Sequence, residues 1–362
     1  MTQFQIPVMR PLLPSAEAVL PYLKQIDSNR WYTNFGPLNT QLEKRFAAHF
    51  GVKETEVATF SNATAALVTI MRGLNITRGS YCAIPSFTFV ATAGGVYNAD
   101  LMPFFVDVNE QSWALEPENL MQIKERITSC VAVAPFGAPI DMKKWENFKK
   151  ETGVTVVIDA AAAFDTVSRF KEFAPSEIPI VISLHATKPF GCGEGGLVIC
   201  KNEEFIFKIK KLSNFGFTPE GIISRGTNAK MNEYNAAVAL AELDGWENKR
   251  KKFLELSAIY VRKLEEIGLK HWLSQGWATT TCNVILKKPN ADEVIEHLAK
   301  NGIESRRWWK KGCHNFAPYK DFPKTPLFTT EKLVDSVVAL PYWIGLEEKQ
   351  IDKVVNTLKE VL

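Results

Sequence analysis

The chain has 362 residues, enough for two domains that each bury a core. With 46% hydrophobic and 23% charged residues it has the composition of an ordinary globular protein. A net charge of +3 is too small to argue for nucleic acid, and the one basic cluster, Lys249-Arg250-Lys251-Lys252, reads as a solvated helix face.

At the N-terminus, Met1-Thr2-Gln3-Phe4-Gln5 shows no charged region leading into an apolar core, so no secretory signal is expected. Short β-branched runs then alternate with helical spacing between about residues 40 and 200. Strands are predicted at 57–60, 81–84, 104–108, 130–135, 154–159, 180–184 and 197–200, with helices at 40–50, 63–74 and 142–150 among them. This alternation argues for a mainly parallel sheet with helices on both faces and right-handed crossovers, an α/β fold whose ligands gather at the carboxyl ends of the strands. Past a Gly245 boundary, helical spacing resumes at 249–267. A strand at 281–286 and helices at 291–301 and 347–362 complete a smaller α+β domain. The predicted division is therefore 1–245 and 246–362. No apolar run approaches the roughly 20 residues of a membrane span. The six cysteines form no C-x-x-C pair and no histidine pair has metal-ligand spacing, so a reducing, cytoplasmic setting without a metal is expected.

Within this frame, Asp159 ends one predicted strand and Lys188 lies in the loop after the next, ahead of Gly193-Glu194-Gly195-Gly196. A strand-end carboxylate with a loop lysine is the pair that pyridoxal phosphate chemistry needs. The lysine forms a Schiff base and the carboxylate keeps the pyridine nitrogen protonated. Upstream, Ser61-Asn62-Ala63-Thr64 joins a strand to a helix, where small residues and free N–H groups suit a phosphate; taken alone it is an ordinary helix cap. Pro85-Ser86-Phe87-Thr88-Phe89 supplies aromatics that could flank a planar ring or simply pack. Residues 191–196 match G-x-G-x-x-G in form, but a strand rather than a helix follows, which argues against a dinucleotide site. His185 lies three residues before Lys188. His49, His271 and His297 read as surface residues.

These residues resemble the DegT/DnrJ-type nucleotide-sugar aminotransferases among the fold-type I pyridoxal phosphate enzymes. The resemblance runs from about Arg30 onwards. It is carried by Asn34-Phe35-Gly36-Pro37, the 62–67 turn, the 85–93 segment, Ile158-Asp159-Ala160-Ala161, the Ser183–Lys188 loop and Gly226-Thr227-Asn228-Ala229-Lys230-Met231. It implies a seven-stranded sheet, pyridoxal 5'-phosphate as cofactor, L-glutamate as amino donor and a nucleotide-linked keto-deoxysugar as acceptor. Lys188 would be the catalytic lysine and Asp159 the partner of the pyridine nitrogen, with Phe89 and Ala161 on the two ring faces. Ala63, Thr64 and Ser183 would hold the phosphate, and Asn228 would reach the neighbouring subunit's cofactor, which implies a homodimer. His185, Trp309 and His314 are the substrate-side candidates. Lysine rather than histidine at 188 favours amino transfer over dehydration. Ala162 departs from the family's usual glutamine near the cofactor's phenolic oxygen. The Asp159–Phe164 run is most similar to viosamine-type enzymes forming dTDP-4-amino-4,6-dideoxyglucose. A 3-keto-sugar aminotransferase, a sugar dehydratase or a non-catalytic protein on this fold remain the alternatives.

Overall fold

A computed structural model describes residues 4–273 and 276–362. Seven short apolar runs form one sheet: β1 (Val57–Phe60), β2 (Tyr81–Pro85), β3 (Met102–Val106), β4 (Ser129–Val133), β5 (Thr155–Asp159), β6 (Ile180–Ser183) and β7 (Gly196–Ile199). They make the seven-stranded sheet that the resemblance implies, in the order β1-β7-β6-β5-β4-β2-β3. Only β7 runs against its neighbours. Strand side chains alternate between two cores. Val156, Ile158, Ile180 and Ile182 enter one; Val131, Val157, Val181 and Val198 enter the other. Both faces are thus buried, as a mainly parallel sheet requires.

Because β7 is antiparallel, its first residue lies at the same end of the sheet as the last residues of β1 and β6. Gly196 pairs with both Phe60 and Ser183. The chain from 184 to 195 is therefore a hairpin connection at the carboxyl end of β6, next to the carboxyl end of β5. The parallel pairing of β5 with β6 sets the predicted lysine loop beside the predicted carboxylate.

The helix predicted from residue 40 begins earlier, at Pro37, and runs to Phe50. Its first turn is capped across the chain: Glu233 accepts the N–H groups of Leu38 (2.8 Å) and Asn39 (2.9 Å). A Cβ on Gly36 would lie 2.6 Å from the Glu233 carboxyl carbon, so this cap needs glycine there. Sequence patterning also missed the helix Ala16–Asn29, which contains Pro21.

The expected boundary at Gly245 does not interrupt the local structure. One 34-residue helix, Glu233–Glu266, passes through it, so the expected division at 245–246 falls inside that helix. A mid-helix glycine costs about 1 kcal/mol, which burial of Leu240, Trp246, Phe253 and Tyr260 outweighs. Two strands, β8 (Phe217–Thr218) and β9 (Gly221–Ile222), form a small hairpin before it. After it, β10 (Lys270–Trp272), β11 (Cys282–Ile285) and β12 (Val337–Leu340) make an antiparallel sheet. Cys282, Val284, Val338 and Leu340 face the main core, whereas Ile285 and Val337 face a cluster with Phe87, Trp113 and Phe136. The N-terminal segment joins this region, with Ile6 bonded to Gly302 and Val8 to Tyr342.

Two surface readings are corrected. Lys249 and Arg250 are not a solvated face: Lys249 pairs with the buried Glu242, and Arg250 binds the fully buried Asp165 at 2.7 and 3.0 Å. His49 is likewise inside, stacked on Phe164 at 4.9 Å with its Nε2 unpaired. Asp165 and Phe164 come from distant sequence, which helical spacing cannot show, whereas Glu242 lies seven residues before Lys249 on one helix. Burial, helped by the Arg169 charge, lowers the His49 pKa from 6.5 to about 4. The folded state then binds this proton more weakly than the unfolded chain. Stability is expected to fall as pH drops below 6.5 and to level off near 4. Urea melts across that window should show a flatter slope for His49→Phe; an identical slope would remove His49 from the account.

Among the described residues, no helix is long and apolar enough to cross a membrane and no side-chain group could hold a metal ion.

Candidate active site

Asp159 is the last residue of β5 and is 6% exposed. Its Oδ2 accepts a 2.8 Å hydrogen bond from Thr92 Oγ1, and its Oδ1 accepts one of 3.2 Å from the Ala161 N–H. Thr92 sits in the helix Val90–Asn98, which follows β2. Sequence reading missed it, since nothing in a single threonine signals a partner 67 residues away. Burial raises the Asp159 pKa, opposed by Thr92, the Lys188 charge and Ala161. Burial lowers the Lys188 pKa, opposed by Asp159. The two groups therefore sense each other in a site that favours neutral forms of both. An amine biased towards its free base is a nucleophile.

The loop carrying Lys188 is pinned by its backbone. The Lys188 N–H donates to His185 O (2.9 Å), Ala186 N–H to Gly193 O (2.9 Å) and Cys192 N–H to Leu184 O (2.8 Å). His185 Nδ1 accepts the Thr187 N–H (3.2 Å), and its Nε2 lies 3.6 Å from Glu194 Oε1. Lys188 shares a pocket with Arg10, Thr187, Lys249, Thr280 and Trp343.

Across β7 lies the turn into the helix Ala63–Gly73. Asn62 caps this helix by accepting the Ala65 N–H at 2.8 Å. The Ala63 and Thr64 N–H groups, at its first positions, have no acceptor within it. A Cβ on Gly196 would lie 2.6 to 2.8 Å from Asn62 C and O and Ala63 N, so glycine is what lets β7 meet the turn. Ser183, paired with Gly196, stands on the other side, its N–H bonded to Ala161 O at 3.2 Å. The predicted phosphate residues Ala63, Thr64 and Ser183 thus share one end of the sheet with Asp159 and Lys188.

Phe89, the N-cap of the helix Val90–Asn98, is 56% exposed. Ala161 is half-buried beside Asp159. Asn228 lies apart, exposed and bonded by Lys230 Nζ at 2.8 Å, in the segment that pairs with Asn214. Trp309 is stacked on Phe136 at 4.6 Å. His314 is 3% exposed, its Nδ1 2.6 Å from Ser86 Oγ, beneath the loop that leads to Phe89. The Ala162 carbonyl abuts Gly137, where an added Cβ would lie 2.5 Å away.

The sequence profile of the DegT/DnrJ/EryC1/StrS aminotransferase family matches residues 15–359. The chain belongs to this family. A relative from Shigella dysenteriae, named dTDP-4-amino-4,6-dideoxy-D-glucose transaminase, is 29% identical over 98% of both chains. A Vibrio cholerae relative named GDP-perosamine synthase is 26% identical, again over 98% of both. A solved Bacillus cereus chain, provisionally described as a PLP-dependent aminotransferase, is 31% identical with a TM-score of 0.90, covering 98% of this chain and 99% of its own. DesI, solved with its TDP-sugar product, is 27% identical with a TM-score of 0.88, covering 99% and 93%.

As a member of this aminotransferase family the chain uses pyridoxal 5'-phosphate. The residues fit that group. A buried carboxylate whose pKa is pushed up is short of positive charge, which a protonated ring nitrogen supplies. A half-buried lysine whose pKa is lowered suits a covalent link. The glycine-enabled helix start offers N–H groups to a phosphate.

Proposed function

We propose that the protein transfers an amino group from L-glutamate to dTDP-4-keto-6-deoxyglucose, giving dTDP-4-amino-4,6-dideoxyglucose for O-antigen or other glycan assembly. The observation that carries this reading is the Shigella relative, similar from end to end and named for that product. The cofactor, when bound, supplies an aldehyde carbon for amine exchange and a ring that withdraws electrons.

In this reading Lys188 holds the cofactor covalently and, once released, its Nζ moves a proton at the substrate carbon. Asp159 keeps the ring nitrogen protonated while Thr92 and the Ala161 N–H fix the carboxylate. Phe89 and Ala161 cover the ring faces. Ala63, Thr64 and Ser183 bind the phosphate. His185, Trp309 and His314 are the substrate-side candidates, His314 acting only through Ser86 and the loop it supports.

The reading includes a homodimer in the cytoplasm. The six free cysteines, all buried, are consistent with a reducing compartment. Beside Asn228 the β8–β9 hairpin region exposes Phe215, Phe217, Ile222 and Ile223 at 45 to 65%, apolar surface that a second subunit would cover. Asn228 would then complete the partner's phosphate site. Mixing Lys188→Ala with Asn228→Ala subunits is expected to restore activity through one intact composite site. No recovery, with subunit exchange verified and the Asn228 variant impaired, argues against that arrangement.

The substrate is tested by a glutamate-driven reaction on a panel of 3-keto and 4-keto deoxysugar nucleotides, with the new amine located by NMR. Nitrogen on C4 of the dTDP-linked sugar is expected. Nitrogen on C3, or no reaction with any dTDP-linked 4-keto sugar, rejects this substrate.

A further inference from the structure

Between the β10–β11–β12 sheet and the carboxyl edge of the large sheet lies a layer of aromatic rings. Trp309 stacks on Phe136 at 4.6 Å and 16°, and Trp113 stacks on Trp272 at 4.9 Å and 12°. Phe87 meets Trp309 edge-on at 4.7 Å. Three of these residues hold a left-handed backbone: Phe136 (φ 52°), Trp113 (φ 57°) and Trp309 (φ 60°). That conformation is strained for a bulky side chain, and such strain collects at functional sites. Phe136 directly precedes Gly137, which touches the Ala162 carbonyl, so the layer adjoins the Asp159 turn.

Asn283 is aimed into this layer. It lies opposite Trp272 on one side and Ala339 on the other. Ile285, two residues on and on the same face of β11, packs against the same aromatic cluster. Asn283 is 0% exposed, yet neither its amide oxygen nor its amide nitrogen has a partner among the described residues. An amide buried without partners costs stability, and a packed apolar residue would cost none. The energetics of folding alone do not account for asparagine there.

We propose that this layer is the closed form of a sugar subsite. The substrate's deoxysugar ring takes the Phe136 face that Trp309 covers, and the Asn283 amide bonds its hydroxyls. The inference rests on the keto-sugar aminotransferase reading above and deepens it. The chemistry matches on both counts. A deoxyhexose offers C–H faces and a methyl group to aromatic rings, while its hydroxyls need both a donor and an acceptor, which one amide supplies. A buried polar group left unpaired by the wrong sugar then penalises that sugar strongly.

Asn283→Leu and Asn283→Ala test this in the holoenzyme. With dTDP-4-keto-6-deoxyglucose, the amine-accepting half-reaction is expected to lose about 100-fold or more in kcat/KM. The glutamate half-reaction should stay within about twofold of wild type, since it needs no sugar hydroxyl contact. Binding of the sugar nucleotide, followed by tryptophan fluorescence, should weaken in parallel. The melting temperature of Asn283→Leu should hold or rise. An unchanged sugar half-reaction, or an equal fall in both half-reactions, overturns the inference while wild-type turnover upholds the parent reading. Wild-type enzyme inactive on every keto-sugar nucleotide rejects both.

Discussion

Replacing Lys188 with alanine is expected to reduce amino transfer by about 10⁴-fold or more, the upper range for losing a positioned acid–base group that also bonds covalently. The fold should survive, because the loop is held by backbone hydrogen bonds at His185, Ala186 and Cys192 rather than by the lysine side chain. Circular dichroism and melting should therefore match wild type. Borohydride reduction of the holoenzyme followed by peptide mapping should place the label on Lys188. Label on another lysine, or appreciable turnover by the variant, would remove Lys188 from this role.

Asp159→Asn is expected to leave cofactor attachment intact and to slow glutamate turnover by about 10²–10³-fold, the usual effect of losing one preorganised electrostatic contact. The amide oxygen can still accept the Thr92 hydroxyl, so the geometry around residue 159 should persist. What is lost is a negative charge beside the ring nitrogen. The assay is a single-turnover reaction with glutamate, followed by absorbance. A rate within about twofold of wild type contradicts the assignment, because that electrostatic contribution would then be absent.

Much of the candidate site was legible because it depends on local sequence. Asp159 closes an apolar run, and Lys188 sits in the next loop ahead of glycines that mark a tight return. The seven strands of the large sheet followed from β-branched runs and helical spacing between them. What was not legible depends on partners far apart in the chain. Glu233 caps a helix 194 residues away, Thr92 orients a carboxylate 67 residues away, and His314 meets Ser86 across 228 residues. Gly245 reads as a breaker by propensity, but tertiary burial on either side overrides it. Arg250 looks solvated until Asp165, 85 residues earlier, is brought to it. The aromatic layer was invisible for the same reason: Trp113, Phe136, Trp272 and Trp309 come from four separate segments.

The unbroken helix Glu233–Glu266 has a mechanical meaning. At 34 residues it is a rod roughly 50 Å long. A loop at Gly245 would have let the two ends of the chain pivot cheaply; a rod does not. Anything that displaces its carboxyl-terminal half must either bend it or tilt it whole. A whole-body tilt would pull Glu233 away from the amides of Leu38 and Asn39 at one end and strain the Arg250–Asp165 contact further along. The rod thus acts as a stiff lever with both arms fastened, its far arm reaching the segment after β12 through the Tyr260 hydroxyl on the Pro341 carbonyl.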